Sequence, residues 1–572
     1  MRKSNISKIP DFVEAKHTVS RRHPTISIKS DAEKPKQTLI SKFLKSKSFV
    51  KEEFERLLLE FIIMTDQPFH VVENQAFLRF ALYGRDLDGL FSEDTLKRRI
   101  VSLYDAEKLK IKDLLMKAAG RISLVLDCWT TRHCIGFHGV IASWISADWN
   151  YEEVLLDMDI LKRGHSGKEL ATSLVNVLED FKILGKVLAI TTDNASSCDT
   201  MFNEFKRVAS QKGLHVDCDN QRVRCLAHVV NLACKDAISI LKTMSAIEVD
   251  DSSDGSSNES DICEDDSQSS AESGDLQSDS PDANPANDTA SRNNLSLYHR
   301  VRKGIASIRK SGTLLESFKN SCRIKKLKHR QLVLDTEVRW NSTDYMLRRL
   351  YDMKLAYDHL TTKEHKLFKY KLTLQDWDLI KDMMDLLEPF RKMTVYLSKA
   401  KIPTMALSAA VYIELYNHLE SYKKANGKGE EICSAAAAAC DKLNKYYPTS
   451  DGLVYVMGLI LDPRCKLEWY KCVGIPSQVA KSNKKMALQH WDTFYKPRNA
   501  EMYSVEEPLD ILASQVKRAK TDRRDEFREY LSMPTVESVK DNDCLTWWKE
   551  HAQSFPALAA MARDFLAVSG TG

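Results

Sequence analysis

Two short apolar runs that each end in aspartate constrain this 572-residue chain more than any other feature. RISLVLDCWTT closes its apolar stretch on Asp127, and KVLAITTDNASS closes on Asp193. Runs of this length, bounded by polar and turn residues, read as buried strands. Between them, IGFHGVIASWIS and YEEVLLDMDIL have strand length, with Asp148, Trp149 and Asn150 as the turn. GHSGKELATSLVNVLEDFKIL then sets Leu170, Leu174, Val177, Leu178 and Phe181 on one helical face. The order strand, strand, strand, helix, strand predicts an α/β core on a mixed sheet. In such a core the first and fourth strands commonly lie side by side, which brings both carboxylates to one edge. Paired carboxylates can hold Mg²⁺, a hard cation that prefers oxygen ligands. Two such ions roughly 3.5–4 Å apart can clamp the attacking and leaving oxygens of a phosphodiester. Aspartate after a strand is also an ordinary turn former, so the pairing carries this reading and neither residue does alone.

The next block, RVRCLAHVVNLACKDAISILKTM, reads as a strand running into a helix, with Cys225 and His228 three residues apart and Cys218 and Cys234 nearby. Thiolate and imidazole are zinc ligands. The spacing matches no paired finger, however, so zinc is disfavoured and a core role at a strand–helix junction is the plainer reading. Around this core the chain divides by composition. Residues 1–50 form a basic, Pro-punctuated flexible arm, and 51–120 a helical N-terminal domain. In that domain Phe54, Leu57, Leu58 and Phe61 share a helical face, and Ser92 caps a second helix running to about Ala119. The core spans 121–245, and 246–295 is too polar and acidic to bury anything, hence disordered. Residues 296–525 read as a helical domain, in which Trp377, Ile380, Met384 and Leu387 form one stripe. The last segment, 526–572, is helical and rich in large apolar residues, among them Trp547, Trp548, Phe555 and Phe565.

The formal net charge of +4 hides an uneven distribution. Fourteen acidic residues fall between Glu248 and Asp288 with no lysine or arginine among them, so the rest of the chain carries +18. A basic body with an acidic insert suits a polyanion-binding protein. Arg323–Arg330 (RIKKLKHR) and the cluster Lys517, Arg518, Lys520, Arg523 and Arg524 resemble nuclear-import or phosphate-contacting patches, with a solvated helix face as the alternative. In Arg339-Trp340-Asn341 an aromatic beside a cation can stack on an unpaired base, although a tryptophan in a helical bundle is by default core. No window approaches the ~18 apolar residues of a membrane helix, and the N-terminus lacks a secretory apolar region. Thirteen cysteines without one CxxC argue against a disulfide scaffold and for a reducing compartment.

Taken in order, the blocks PFHVVENQAFLRFAL, LVLDCWTTRHCIGFHGVIASWI, LAITTDNASSCDTM, VRCLAHVVNLA, TEVRWNSTDYMLRRL, DWDLIKDMMDLLEPF and LILDPRCKLEWY resemble the hAT superfamily of DNA transposases, particularly its fungal members. The resemblance implies an RNase H-like core interrupted by a large helical insertion and followed by a C-terminal dimerisation region. It implies that Asp127 and Asp193 are the first two carboxylates of an Asp-Asp-Glu site for Mg²⁺, with Mn²⁺ as a substitute. Cys225 and His228 match the family's CxxH motif, and Trp340, beside Arg339, matches the tryptophan associated with a flipped base. The implied reaction is metal-dependent cleavage and transesterification of DNA by a nuclear protein that forms dimers or larger assemblies. Two departures shape the expectation. Residues 1–50 contain no cysteine for the family's BED zinc finger, and the chain reaches Gly572 where the motif bearing the third carboxylate would begin. The leading expectation is therefore a hAT-derived DNA-binding protein defective in catalysis. The alternatives are a competent transposase, with a residue such as Glu337 completing the site, and a helical interaction scaffold without DNA contact.

Overall fold

The computed structural model describes residues 49–85, 89–131, 133–161, 166–214, 217–243, 296–336, 340–397, 403–424, 428–446, 452–497, 525–537 and 544–571. Residues 1–48 of the basic arm, the acidic 246–295 stretch, Glu337, Arg339 and the cluster at 517–524 lie outside these. The chain forms two compact units. The first comprises residues up to 226 with 399–409 and those from 450 onward; the second comprises 227–398 and 410–449.

The first unit opens with helices α1 (Lys51–Met64), α2 (Gln75–Ala81) and α3 (Glu93–Met116). Ser92 caps α3, its hydroxyl accepting the Thr95 amide at 3.3 Å. The buried stripe of α1 is Leu58, Ile62 and Ile63, packed with Val72, Leu96 and Ile100. Leu57 and Phe61, grouped by periodicity with Leu58, are 49% and 44% exposed. The helix offers two overlapping apolar stripes, and its packing against α3 selects the one turned further round.

Strands β1 (Ile122–Thr130), β2 (Gly136–Ile145), β3 (Tyr151–Leu161), β4 (Val187–Thr192) and β5 (Arg222–Arg224) form a sheet in the order β3-β2-β1-β4-β5. β1 is antiparallel to β2 and parallel to β4, and β4 is parallel to β5. The sheet is therefore mixed, and the first and fourth strands are neighbours. Helices α4 (Gly167–Asp180) and α5 (Ser196–Gln211) follow β3 and β4.

Alternation along β1 separates the two faces. Leu124 and Leu126 join Leu170, Leu174 and Leu178 of α4 and Phe202 and Phe205 of α5. The opposite face is covered by distant parts of the chain. There Ile145, Tyr151 and Ala189 pack with residues of α14 (Leu453–Ile460), α15 (Ser477–Phe494), α16 (Glu526–Ser532), α17 (Cys544–His551) and α18 (Pro556–Leu566). The units thus group the chain differently from its linear composition: residues 453–494 sit with the sheet, because Val454, Met457, Ile460 and Trp491 complete its second core.

Residues 567–571 continue from α18 across that face. The Ala567 carbonyl accepts the Ser143 hydroxyl at 2.8 Å, and the Ser569 carbonyl accepts the Thr191 hydroxyl at 2.6 Å. The Gly570 carbonyl accepts the Leu226 amide at 2.9 Å.

The second unit is helical. It contains the body of α6 (Leu226–Thr243), then α7 (Leu297–Lys310), α8 (Gly312–Ile324), α9 (Trp340–Asp352), α10 (Lys354–Lys363), α11 (Leu374–Leu397), most of α12 (Met405–Lys424) and α13 (Glu430–Tyr446). Trp377 is fully buried, as its stripe predicts, and its indole donates to Asp358 at 3.0 Å. Arg300 of α7 holds Asp376 of α11 through two bonds of 2.9 and 2.6 Å. No helix among the described residues is long and apolar enough to cross a membrane.

Candidate functional site

The parallel register pairs Val125 with Thr191. Two residues further on, Asp127 in β1 and Asp193 just past the end of β4 therefore stand at the same level on adjacent strand ends. Asp127 is exposed and Asp193 half-buried. The Asp193 carboxylate is held by a local turn, with Oδ1 accepting the Ala195 amide at 3.2 Å and the Cys198 thiol at 2.9 Å. α5 starts at Ser196, so the helix that follows β4 fixes this carboxylate. Cys128 lies next to both acids. Burial pushes its thiol up to about 12, and the charges of Asp193 and Asp127 add to that effect. Cys198 is likewise pushed up, first by burial and then by Asp193. Both thiols therefore stay protonated at neutral pH, which makes them poor metal ligands and leaves Cys198 as a hydrogen-bond donor to Asp193.

An aromatic ledge adjoins Asp127. Trp129, 39% exposed, stacks on Phe137 with ring centroids 5.5 Å apart and planes 14° from parallel. A Cβ at Gly139 would sit 3.4 Å from the Trp129 ring and 3.7 Å from the Asp127 carbonyl oxygen, so the glycine leaves room for the ring to lie over β2. An exposed indole at the edge of an acidic pair can stack on a base that has left a duplex.

Beyond Asp193, the Asn194 side chain accepts Arg224 Nη1 at 3.1 Å. The Arg224 amide donates to the Tyr455 hydroxyl at 2.9 Å, so α14 braces the end of β5. Cys225 is buried, and its amide donates to the Thr192 carbonyl at 2.8 Å. This bond places the start of the CxxH block one residue from Asp193. His228 is half-buried in the first turn of α6 and belongs to the second unit. Trp340 is the first residue of α9, also in the second unit, and its neighbour Arg339 is outside the described residues.

The two aspartates are thus brought together at one sheet edge. The aromatic ledge, Cys128 and Cys198 were not singled out from sequence, although Trp129 follows Asp127 by one strand period and Cys198 follows Asp193 by about one helical turn. Among the described residues, no group of three or more His, Cys, Asp or Glu side chains gathers as a metal cage. Two adjacent carboxylates nevertheless fit Mg²⁺, which keeps several waters and commonly takes one or two carboxylates.

Comparison with known proteins agrees with this architecture. Residues 125–220 match the ZBED1 RNase-like domain, 291–386 the ZBED1 RNase-like helical domain, and 526–572 the hAT family C-terminal dimerisation region. A Talaromyces stipitatus protein named as a transcriptional regulator, tpeD, is 26% identical over 540 residues, covering 90% of this chain and 57% of that protein. The zinc finger BED domain-containing protein RICESLEEPER 2 of Oryza sativa is 21% identical over 547 residues, covering 89% and 68% respectively. A Zea mays protein named as an AC transposase is 22% identical over 540 residues, covering 89% and 59%. The chain therefore spans somewhat more than half to about two thirds of the length of these relatives. The matched stretches place an RNase-like domain, a helical domain and a hAT-type dimerisation region in that order along the chain.

Proposed function

We propose that this hAT transposase-derived chain is a nuclear DNA-binding protein that binds one divalent cation, Mg²⁺ or Mn²⁺, between Asp127 and Asp193, and that it cleaves DNA weakly or not at all by itself. The observation that carries this reading is the pair of acids at the ends of adjacent parallel strands. Bound there, the cation would supply Lewis acidity toward a phosphodiester oxygen. The chain's own residues have separate tasks. Asp127 and Asp193 supply oxygens, Cys198 and the Ala195 amide orient Asp193, and Trp129 offers a stacking surface for an unpaired base. A second ion needs a further carboxylate, and the described residues bring two to this edge. The region matched to the hAT dimerisation model supports self-association, and the relatives named as transposase and transcriptional regulator both support a DNA partner in the nucleus.

The full chain should bind duplex DNA with an affinity that falls steeply with salt. Mg²⁺ should raise its unfolding temperature, and Asp127→Asn should abolish that rise. Efficient Mg²⁺-dependent cutting of a transposon-end duplex, lost on Asp127→Ala, would falsify the catalytic part and favour a competent transposase. Absence of any salt-sensitive DNA binding would favour the interaction scaffold.

A further inference from the structure

The basic run Arg323–Arg330 is built as a rigid turn. α8 ends in a Schellman closure: the Leu327 amide donates to the Cys322 carbonyl at 2.8 Å, and the Lys326 amide to the Arg323 carbonyl at 3.0 Å. The residue at the centre of such a closure takes positive φ and is usually glycine, which adopts it without steric cost. Here it is Lys326, with φ of 55°. Arg323, Lys325, Lys326, Lys328 and Arg330 are all exposed. Among the described residues, Arg330 is held by Asp352 at 3.2 Å, while Lys325, Lys326 and Lys328 have no carboxylate within salt-bridge distance. A lysine also takes this left-handed position after α4, at Lys182 with φ of 58°, so what sets the turn at Lys326 apart is its concentration of outward cations without a carboxylate partner.

The turn is anchored from both sides. His329 packs edge-on against the buried Phe318 ring at 6.0 Å. The Gln331 carbonyl accepts Arg349 at 2.9 Å, and Arg330 reaches Asp352, so α9 holds the segment by its last turn. α9 has 13 residues and begins at Trp340. At 1.5 Å per residue, the turn and Trp340 lie about 20 Å apart along the helix. One duplex segment shorter than a helical repeat of ~34 Å can span both.

We infer that the Arg323–Arg330 turn is a docking surface for the phosphate backbone of duplex DNA, with Lys325, Lys326 and Lys328 as its contacting cations. The inference rests on the DNA-binding reading above and assigns it a surface. An import receptor's acidic groove takes basic peptides in extended form, and pulling this segment straight breaks the Schellman bonds and the anchors at His329, Arg330 and Gln331. Phosphates need only the outward charges.

Anisotropy of a labelled mixed-sequence duplex of about 30 base pairs, titrated with full chain from 0.05 to 0.3 M KCl, tests this. Each phosphate contact contributes about 0.9 to the slope of log affinity against log salt, or roughly fivefold in affinity at 0.15 M. Lys326→Gly should therefore bind about fivefold more weakly, with a slope shallower by about one, while unfolding at a higher temperature than wild type. The triple change Lys325→Gln, Lys326→Gln and Lys328→Gln should cost about 100-fold, whereas Lys481→Gln, Lys484→Gln and Lys485→Gln on α15 should cost far less. Equal losses in the two triple variants overturn the assignment in favour of net charge. Wild-type affinity and slope in the first triple variant overturn it while leaving DNA binding in place, and loss of nuclear accumulation alone in that variant assigns the turn to a protein partner. A wild-type chain that binds no duplex at 0.05 M overturns the DNA reading itself.

Discussion

His490 of α15 gives the first unit a calculable sensitivity to acid. Its ring lies among Phe494, Tyr495 and Phe565, with centroids at 4.8, 5.6 and 5.5 Å. Burial, reinforced by the Arg121 guanidinium, lowers its pKa from 6.5 to about 4. The neighbouring acid, Asp564, is bound by the Arg121 amide at 2.6 Å and the Tyr495 hydroxyl at 2.5 Å and is itself raised by burial. In the unfolded chain His490 takes up a proton near pH 6.5, whereas in the fold it resists protonation until about pH 4. The unfolded state thus binds more protons throughout that window, and stability falls as pH falls through it. Discounted for the partial solvent exposure of the ring, the loss between pH 7.5 and 5 is about 1–2 kcal/mol from this group. With a urea slope of about 2–3 kcal/mol/M, the midpoint shifts by roughly 0.3–1 M. His490→Phe keeps an aromatic ring and removes the titration, so comparing its pH 7.5 to pH 5 midpoint shift with that of wild type cancels the carboxylates common to both. An equal shift in the two proteins would refute the assignment of acid sensitivity to His490.

Other substitutions probe the frame around the acidic pair. Trp548→Ala empties a fully buried site whose indole donates to the Leu461 carbonyl at 2.9 Å, and it should cost the first unit about 3–5 kcal/mol in urea unfolding. A Cβ at Gly167 would lie 2.5 Å from Thr200 Cβ and 2.6 Å from the Ser197 carbonyl oxygen. Gly167→Ala should therefore separate α4 from α5, cost about 1–3 kcal/mol, and blunt the Mg²⁺-dependent rise in unfolding temperature without altering either aspartate. In the second unit, Asp335 is buried against Tyr298, Arg302 and Thr343 at 2.5, 2.9 and 3.1 Å. Asp335→Ala should cost about 3 kcal/mol by calorimetry, since it strands a charge, and adding Arg302→Met should cost less than the sum of the two single changes.

The sheet was legible because its signals are local. Apolar runs ending at Asp127 and Asp193 mark strand ends, and the helix between them declares that the fourth strand can run parallel to the first. What occupies the sheet's second face was not legible. Val454, Met457 and Ile460 read as any helix core, and only their contact with Ile145 and Ala189, about 300 positions away, assigns them to the sheet. The same holds on a small scale for α1, where periodicity favoured the Leu57 and Phe61 stripe and the partner helix chose Leu58, Ile62 and Ile63. At the site, the acids announced themselves by chemistry. Cys128 and Cys198 gave no such sign, because a thiol held protonated by burial acts through position.

The strip of chain from Ala567 to Thr571, laid across the face that bears Ser143 and Thr191, also sets an order of events during synthesis. Thr191 and its partner Ser569 are 378 residues apart. At about 5–20 residues per second, a ribosome needs roughly 20–75 s to bridge that interval. One side of the sheet can close early, because α4 and α5 emerge directly after their strands. The other side, with Ile145, Tyr151 and Ala189, must wait as bare apolar surface until residues 454–568 have been made. A nascent chain of this kind is a natural client for chaperones, and slowing its translation should raise aggregation of the half-made product more than that of the finished protein.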